Sequence, residues 1–191
     1  MKAIKNAKII AIVGMTGSGK STVVDYLTTK NYPKVYFGGM VYNEMNRRGI
    51  EITPESQQKF REQIREEEGK DWVINQVISE VHKLVESGQR HIILDGLYTW
   101  SEYKILKHEF PGETTVLAII SPKALRHKRL GARPERPFTE QEANERDYSE
   151  IENLEKGGPI AAADYYIANA GSLEQLEKDV DKFLADIGFA S

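Results

Sequence analysis

One stretch of this chain constrains its fold more than any other: a short apolar run that leads into a glycine-rich loop. Residues 8–13 are Lys-Ile-Ile-Ala-Ile-Val, an apolar and largely β-branched run that is typical of a buried strand. Residues 14–21, called the glycine loop below, are Gly-Met-Thr-Gly-Ser-Gly-Lys-Ser and match the pattern G-x-x-x-x-G-K-[ST]. A helix is predicted to follow over 20–30. The segment therefore predicts a strand–loop–helix unit whose helix N-terminus faces an anion.

The glycine loop has the residue types that phosphate binding requires. Glycine lets the backbone fold back tightly, so that its N–H groups can approach phosphate oxygens. We expect Lys20 to place its charge on the β- and γ-phosphates of ATP, Ser21 to offer its hydroxyl to Mg²⁺, and Thr22 to contact the α-phosphate. The other loop residues expected to bind ATP are Gly14, Thr16, Gly17, Ser18 and Gly19.

Strands and helices alternate along the rest of the chain. Short apolar runs predict strands at 35–37, 91–95, 114–120 and 165–168, the first of them ended by Gly38 and Gly39. Capping residues and apolar spacing predict helices over 54–68, 71–87 and 173–187, the last with Leu173 on its apolar stripe. Such alternation indicates an α/β fold in which helices cover both faces of a parallel sheet. Because ligands collect at the carboxyl ends of such strands, the segments that begin at Gly14, Asp95 and Asn169 should share one site.

Composition disfavours several classes of protein. The chain has 191 residues, of which 40% are hydrophobic and 29% charged, the balance of one globular domain over 1–191. A net charge of −3 disfavours nucleic acid as a partner. Without cysteine there is no disulfide framework and no thiolate metal site. Because no apolar run is long enough for a signal peptide or a membrane span, we expect a cytoplasmic protein with no membrane partner.

A basic segment over 121–139 is expected to contain a lid. It holds six lysines and arginines against one acid, Glu135. Arginines neutralise the charge that phosphoryl transfer spreads over the equatorial oxygens, and Pro134 and Pro137 interrupt the helix at this point. The same cations could instead form a solvated basic face or a patch that binds a partner.

Signals of other nucleotide-binding classes are weak. Residues 144–147 are Asn-Glu-Arg-Asp, which lacks the lysine of the N-K-x-D element of guanine-specific switches. The chain also lacks the S-G-G-Q stretch of transporter ATPases. A small-molecule kinase is therefore favoured over a switch GTPase or a motor-type ATPase.

With these elements in place, the chain resembles the nucleoside monophosphate kinase and dephospho-CoA kinase branch of P-loop kinases. It is most similar to a group of small adenylate-kinase-related proteins known mainly from archaea. The matching elements are residues 14–21, 65–69, 95–96, 145–147 and 163–173, together with Arg126 and Arg129. The resemblance implies a three-layer fold with five parallel strands in the order 2-3-1-4-5, an acceptor-binding helical region around 38–70, and a lid around 131–140.

The same resemblance implies roles for residues near the transferred group. Asp95 would lie near the acceptor phosphate and the waters of the magnesium ion, and Gly96 would leave room for that approach. Arg129 and Arg133 would clamp the transferring phosphoryl group, with Arg126 and Arg146 as further candidates. A simpler role for Asp95, as the cap of the next helix, stays open.

Roles at the two ends of the site also follow from the resemblance. Arg65 would hold the acceptor's phosphate through its bidentate fork, and Asn169 and Gly171 would border the donor base. Arg65 could instead pair with the glutamates around it along a solvated helix. Asn169 and Gly171 could simply form a turn before the Ser172 cap.

Two positions depart from this branch, and both belong to the expected acceptor site with Gly96 and Arg65. Gly39 stands after the second strand, where relatives usually offer an aspartate, and Tyr98 stands near the place of an arginine. In dephospho-CoA kinases that aspartate is thought to help activate the acceptor hydroxyl, so its absence counts against that reaction. The missing arginine counts against ordinary AMP binding.

The sequence thus favours a kinase that uses ATP and Mg²⁺ and acts on a small, nucleotide-like acceptor. Dephospho-CoA kinase is the alternative within this class. An alternative of another class is a regulatory or assembly NTPase with a degenerate acceptor site, which would act through a protein or RNA partner.

Overall fold

The strands of the molecule form one sheet. The computed structural model describes residues 6–189, in which five parallel strands lie in the order β2-β3-β1-β4-β5. The strands are β1 (Lys8–Val13), β2 (Lys34–Tyr36), β3 (His91–Asp95), β4 (Thr114–Ile120) and β5 (Tyr165–Ala168). The predicted α/β class and the strand order are confirmed, and four of the five strands have the predicted bounds.

Helices cover both faces of this sheet. They are α1 (Lys20–Thr29), α2 (Phe37–Arg47), α3 (Pro54–Glu68), α4 (Trp72–Glu86), α5 (Trp100–Glu109), α6 (Lys123–Gly131), α7 (Glu140–Glu152), α8 (Gly157–Ala161) and α9 (Leu173–Asp186). Alternate strand residues face opposite layers, so Ile9 packs with α4 and α5, whereas Ile10 packs with α1 and α9. Burying each such side chain contributes roughly 1.5–3 kcal/mol. None of the helices within 6–189 is both long and apolar enough to cross a membrane.

The end of the second strand differs from the prediction. β2 was expected to run to Phe37 and to be followed by a break at Gly38 and Gly39. Instead β2 ends at Tyr36, Phe37 begins α2, and both glycines lie within that helix. The burial of Phe37, Val41 and Met45, one helical turn apart, outweighs the low helix propensity of the two glycines. Gly38 also has a local reason to lack a side chain, because an added Cβ would lie 2.5 Å from the Tyr36 ring.

Hydroxyl side chains cap several helices, and one apolar residue of α9 lies outside its predicted environment. Thr53 and Thr139 cap α3 and α7, and the Ser172 hydroxyl accepts a hydrogen bond from the backbone N–H of Gln175 at 3.2 Å. Leu173 was expected on the buried stripe of α9 but is 57% exposed. It occupies the first turn of α9, and the stripe that packs on the sheet begins one turn later, at Leu176.

Candidate active site

The glycine loop follows β1 and ends in the first turn of α1, as the pattern predicts. Gly17 and Gly19 have φ angles of +81° and +100°, which side chains rarely adopt. A Cβ on Gly19 would lie 2.1 Å from the Asn169 amide nitrogen, and one on Gly17 would lie 2.9 Å from the Arg126 carbonyl oxygen. Both glycines are therefore required where other backbone and side chains approach the loop.

Lys20 lies against the loop that it is expected to serve. Its ammonium donates to the carbonyl oxygens of Gly14 at 2.7 Å and Met15 at 3.3 Å. Burial, aided by the positive charge of Lys156, lowers the pKa of Lys20 to about 8, against the opposing charges of Glu150 and Asp95. The lysine is thus held against the backbone of the glycine loop, and its contact with phosphate oxygens remains a prediction.

Asp95 ends β3 beside the glycine loop. It pairs in register with Ile12, two residues before Gly14. Burial raises the pKa of Asp95, while the charges of Lys34 and Lys20 oppose that rise. The cap of α5 is Thr99, whose hydroxyl accepts from the Glu102 N–H at 3.1 Å, so Asp95 is not the helix cap.

The oxygen donors near the loop suit a magnesium ion. Ser21 lies exposed in the first turn of α1, which follows β1, and Asp95 lies at the end of β3, the strand paired directly with β1. Within residues 6–189 no group of three or more His, Cys, Asp or Glu side chains could cage a metal. Mg²⁺ does not need such a cage, because it usually takes one or two protein oxygens and completes its shell with waters and phosphates. A hydroxyl and a carboxylate are donors of that kind.

A cavity of about 370 Å³ opens between α2, α3, α7 and the first turns of α4 and α5. Four cations line it against the single carboxylate of Glu102: Arg61, Arg65, Lys70 and Arg146. Its apolar wall is formed by Phe37, Val41, Ile64, Trp72, Val73 and Leu154. The cavity therefore has the surface that an anionic group attached to a flat or apolar body would fill.

Of the four residues predicted to bind the acceptor, two line this cavity and two do not. Arg65 and Tyr98 line it. Gly39 lies in the first turn of α2, where an added Cβ would be 3.4 Å from the Tyr36 ring, and Gly96 is buried against Phe37. Neither glycine is part of the lining. The backbone N–H groups of Tyr98 and Thr99 both donate to Glu102, which holds this wall in place.

The expected lid arginines occupy different surroundings. Arg129 donates to the Ser121 hydroxyl at 3.1 Å and to the Asn169 amide oxygen at 3.3 Å, which ties α6 to the end of β5. Arg133 lies in the exposed segment between α6 and α7, with its guanidinium carbon 5.8 Å from the centre of the Phe138 ring. Both side chains belong to the basic segment 121–139, but Arg129 lies within α6 and only Arg133 lies within the predicted lid at 131–140. The role of that segment as a lid remains a prediction.

Asn169 contacts the glycine loop directly. Its amide nitrogen donates to the Ser18 carbonyl oxygen at 2.8 Å, and the residue is 6% exposed. Gly171 is exposed in the turn before α9. Asn169 therefore braces the loop, and its predicted place beside the donor base remains untested.

Helix α7 and the turn after it supply two residues beside the glycine loop that the sequence did not reveal, Glu150 and Lys156. Glu150 is fully buried and accepts hydrogen bonds from the backbone N–H of Thr16 at 2.9 Å and from the Thr16 hydroxyl. Lys156 donates to the same carboxylate at 2.6 Å, and Arg146 does so at 3.2 Å. Burial opposes the ionisation of Glu150, but the charge and hydrogen bond of Lys156 and the bonds from Thr16 lower its pKa. A buried carboxylate thus binds the glycine loop and holds two cations beside it.

A second ion pair from α7 lies against the loop. Arg126 forms two hydrogen bonds with Asp147, at 2.6 and 2.7 Å, and donates to the Thr16 carbonyl oxygen at 3.0 Å. His127 contacts the same carboxylate at 3.0 Å. Burial disfavours the charged form of Asp147, but the hydrogen bonds from Arg126 and His127 lower its pKa. Arg126 therefore supports the loop backbone, and this contact does not require a bound phosphate.

Nothing in the spacing around Glu150 and Lys156 marks them as site residues. Glu150 belongs to a helix rich in acidic residues, and such a composition predicts a solvent-exposed surface. The nearest motif shared with related kinases, residues 145–147, does not include Glu150. The contacts that define them join positions as far apart as 16 and 150. One local signal is the match to related kinases at residues 145–147. That match pointed to this helix but did not indicate which residues the helix contacts.

Comparisons with other proteins identify relatives of this chain. Residues 10–152 match the family model AAA_18, described as an AAA domain. A UPF0200 protein of Thermococcus kodakarensis is 34% identical over 94% of this chain and 97% of its own length. A UPF0200 protein of Hyperthermus butylicus is 32% identical over 93% of both chains. The predicted resemblance to archaeal proteins is confirmed.

Solved structures of small-molecule kinases share the fold. A shikimate kinase from Acinetobacter baumannii, solved with shikimate, superposes with a TM-score of 0.57 at 18% identity and covers 96% of each chain. A gluconokinase from Sinorhizobium meliloti superposes with a TM-score of 0.56 at 16% identity, over 97% of this chain and 95% of its own. At these identities the likeness establishes a P-loop kinase-like fold.

Proposed function

This chain belongs to the AAA-domain family and to the UPF0200 proteins, and we propose that it is a phosphotransferase that uses ATP and Mg²⁺ to phosphorylate a nucleotide-like acceptor. The observation that carries the proposal is a connection between the two halves of the site. Arg146 lines the cation-rich cavity and also bonds to Glu150, the carboxylate that holds Thr16 of the glycine loop. The glycine loop and the cation-rich cavity are therefore joined through two side chains, Glu150 and Arg146.

The donor half would work through position and charge. The loop N–H groups and Lys20 would hold the β- and γ-phosphates, and Ser21 and Asp95 would hold the magnesium ion. When bound, Mg²⁺ supplies positive charge that offsets the charge of the phosphates. In the transfer, an acceptor oxygen bonds to the γ-phosphorus as the bond to the β–γ bridging oxygen breaks, and ADP leaves. Lys20 and the lid arginines Arg129 and Arg133 would stabilise the charge on the group in transit.

The acceptor half favours a phosphorylated acceptor over a neutral sugar. Four cations against one carboxylate suit a phosphate, and the aromatic wall formed with Trp72 suits a base. A phosphate oxygen is already a nucleophile and needs no general base. This agrees with the segment after β2, where Gly38 lines the cavity and Gly39 follows it without a carboxylate.

The test is the release of ADP from ATP and Mg²⁺ by the pure protein with a panel of acceptors. The panel contains ribo- and deoxynucleoside monophosphates, dephospho-CoA, shikimate, gluconate and a blank. Lys20→Ala should abolish release, whereas Lys178→Ala, which removes a surface lysine paired with Glu174 at 2.7 Å, should leave it unchanged. Release that requires one nucleoside monophosphate would establish the proposal and name the acceptor.

Other outcomes of the same assay distinguish the alternatives. Release that depends on dephospho-CoA, with phosphate added to its 3′-hydroxyl, would identify that reaction instead. Slow release that ignores every acceptor would favour a regulatory or assembly NTPase that acts through a protein partner. Turnover in Lys20→Ala equal to that of the unaltered protein would contradict the whole proposal.

A further inference from the structure

A buried ion pair lies between the glycine loop and the acceptor cavity. Glu150 and Lys156 are 0% and 4% exposed, and their charged atoms are 2.6 Å apart. The Lys156 ammonium also lies 4.6 Å from the centre of the Tyr98 ring. Tyr98 lines the cavity, and Glu150 holds Thr16 of the loop, so Lys156 has one neighbour from each half of the site.

The loop contacts place this pair at the terminal-phosphate end of the cradle. Lys20 is the residue that serves the β- and γ-phosphates, and its ammonium donates to Met15, the residue before Thr16. The positive charge of Lys156 is, after burial, the main cause that lowers the pKa of Lys20. The two ammonium groups are therefore tied to adjacent residues of the glycine loop, Lys20 to Met15 and Lys156, through Glu150, to Thr16.

The arrangement is costly for a purely structural contact. Removing two charges from water is expensive, and apolar residues of similar volume often stabilise a fold equally well. The backbone adds a further cost, because Glu155, the residue before Lys156, has a left-handed φ of +51°. The strained backbone of Glu155 thus directs Lys156 into the interior. Residues with strained backbone are concentrated at sites where ligands bind.

We infer that Lys156 is a second cation of the terminal-phosphate site, with Glu150 as the counterion that holds it there. Its ammonium donates to a γ-phosphate oxygen of the bound nucleoside triphosphate and faces the acceptor cavity past the Tyr98 ring. It has no phosphate partner when a diphosphate is bound. The part of the inference that concerns transfer rests on the proposed function, whereas the preference for a triphosphate does not.

The experiment measures binding by titration calorimetry, with a non-hydrolysable ATP analogue and with ADP, each with Mg²⁺. The key comparison is Glu150→Gln against the double variant Glu150→Gln/Lys156→Met, because both carry the same change in the contact to Thr16 and they differ only in the ammonium of Lys156. The double variant should bind the ATP analogue about 10- to 100-fold more weakly, the effect of one charge-assisted hydrogen bond, and bind ADP within about twofold. Lys178→Met is the matched control and should change neither affinity.

Two further variants keep the inference testable if the double variant does not fold, as judged by circular dichroism. Lys156→Arg should retain the preference for the triphosphate, and Lys156→Gln should lose it. An unchanged ratio of the two affinities in a folded Lys156→Gln or double variant would overturn the inference, as would an unaltered protein that binds both nucleotides equally. A ratio that depends on Lys156, in a protein that phosphorylates no acceptor, would support the inference and refute the proposed function.

Discussion

Replacing Asp147 with asparagine should reveal how strongly helix α7 supports the glycine loop. The change keeps the shape of the side chain but removes the charge that pairs with Arg126, which is 7% exposed. Two short hydrogen bonds, at 2.6 and 2.7 Å, then lose their ionic character, and Arg126 keeps a charge with no ionised partner. Breaking a buried pair in this way costs about 3–5 kcal/mol. For a chain of this size, that corresponds to a fall of about 6–20 °C in the melting temperature.

The assay is thermal unfolding followed by circular dichroism, with chemical denaturation as a second measure of the free energy of unfolding. Glu174→Gln is the matched control, because it breaks an ion pair whose side chains are 67% and 76% exposed and should change stability by less than about 1 kcal/mol. Equal melting temperatures for Asp147→Asn and the control would refute the reasoning that the pair stabilises the fold.

The pH dependence of the same variant gives an independent check. The pKa of Asp147 is lower in the folded protein than its ordinary value of 3.8. The stability that its charge contributes is therefore present above pH 3.8 and is lost as the pH falls through the lower, folded pKa. The gap in melting temperature between the unaltered protein and Asp147→Asn should be full at neutral pH and should narrow only in strong acid. A gap that closes between pH 5 and 7 would point to a different group.

Three further outcomes follow from the same geometry. Gly19→Ala should abolish nucleotide binding in a fluorescence titration, because its Cβ would lie 2.1 Å from the Asn169 nitrogen, whereas Gly157→Ala, in open space, should bind normally. Because the pKa of Lys20 is about 8, nucleotide affinity should fall above that pH by up to tenfold per pH unit, and in Lys20→Arg this fall should disappear. Arg65→Ala should raise the KM for the acceptor about tenfold and leave the KM for ATP unchanged; an equal rise in both would contradict its place in the acceptor cavity.

The parts of the fold that were predictable are those set by short segments. The strands at 8–13 and 91–95 have continuous apolar runs, 9–13 and 92–94, because strands buried on both faces need no alternation. The glycine loop was predictable because backbone conformation restricts which residues can occupy it. The start of α2 was missed because Gly38 and Gly39 look like a strand end, and only the packing of Val41 and Met45 in three dimensions overrides that signal.

The candidate site was only partly predictable for a related reason. The roles of Lys20 and Ser21 were predicted from their spacing within the loop. Arg65 was assigned to the acceptor site by a resemblance that gives its position in the sequence but not its contacts. Glu150 accepts hydrogen bonds from Thr16, more than a hundred residues away in the sequence, and from Lys156, which follows it after the end of α7. A buried ion pair has no local sequence signature, because its members are the same residue types that cover solvated helices.

These long-range contacts explain how a loop so rich in glycine can be ready for an anion. Glycine loses more backbone entropy on ordering than other residues, so a loop that ordered only on binding would weaken the affinity for its ligand. Three side chains from separate elements fix the loop beforehand: Asn169 holds the Ser18 carbonyl, Arg126 holds the Thr16 carbonyl and Glu150 holds the Thr16 N–H. Each contact uses a backbone carbonyl or N–H group of Thr16 or Ser18, so the side chains fix the course of the loop through its backbone. The order of the glycine loop therefore comes from α6, α7 and the end of β5, and a mutation in any of them should weaken nucleotide binding without touching the nucleotide.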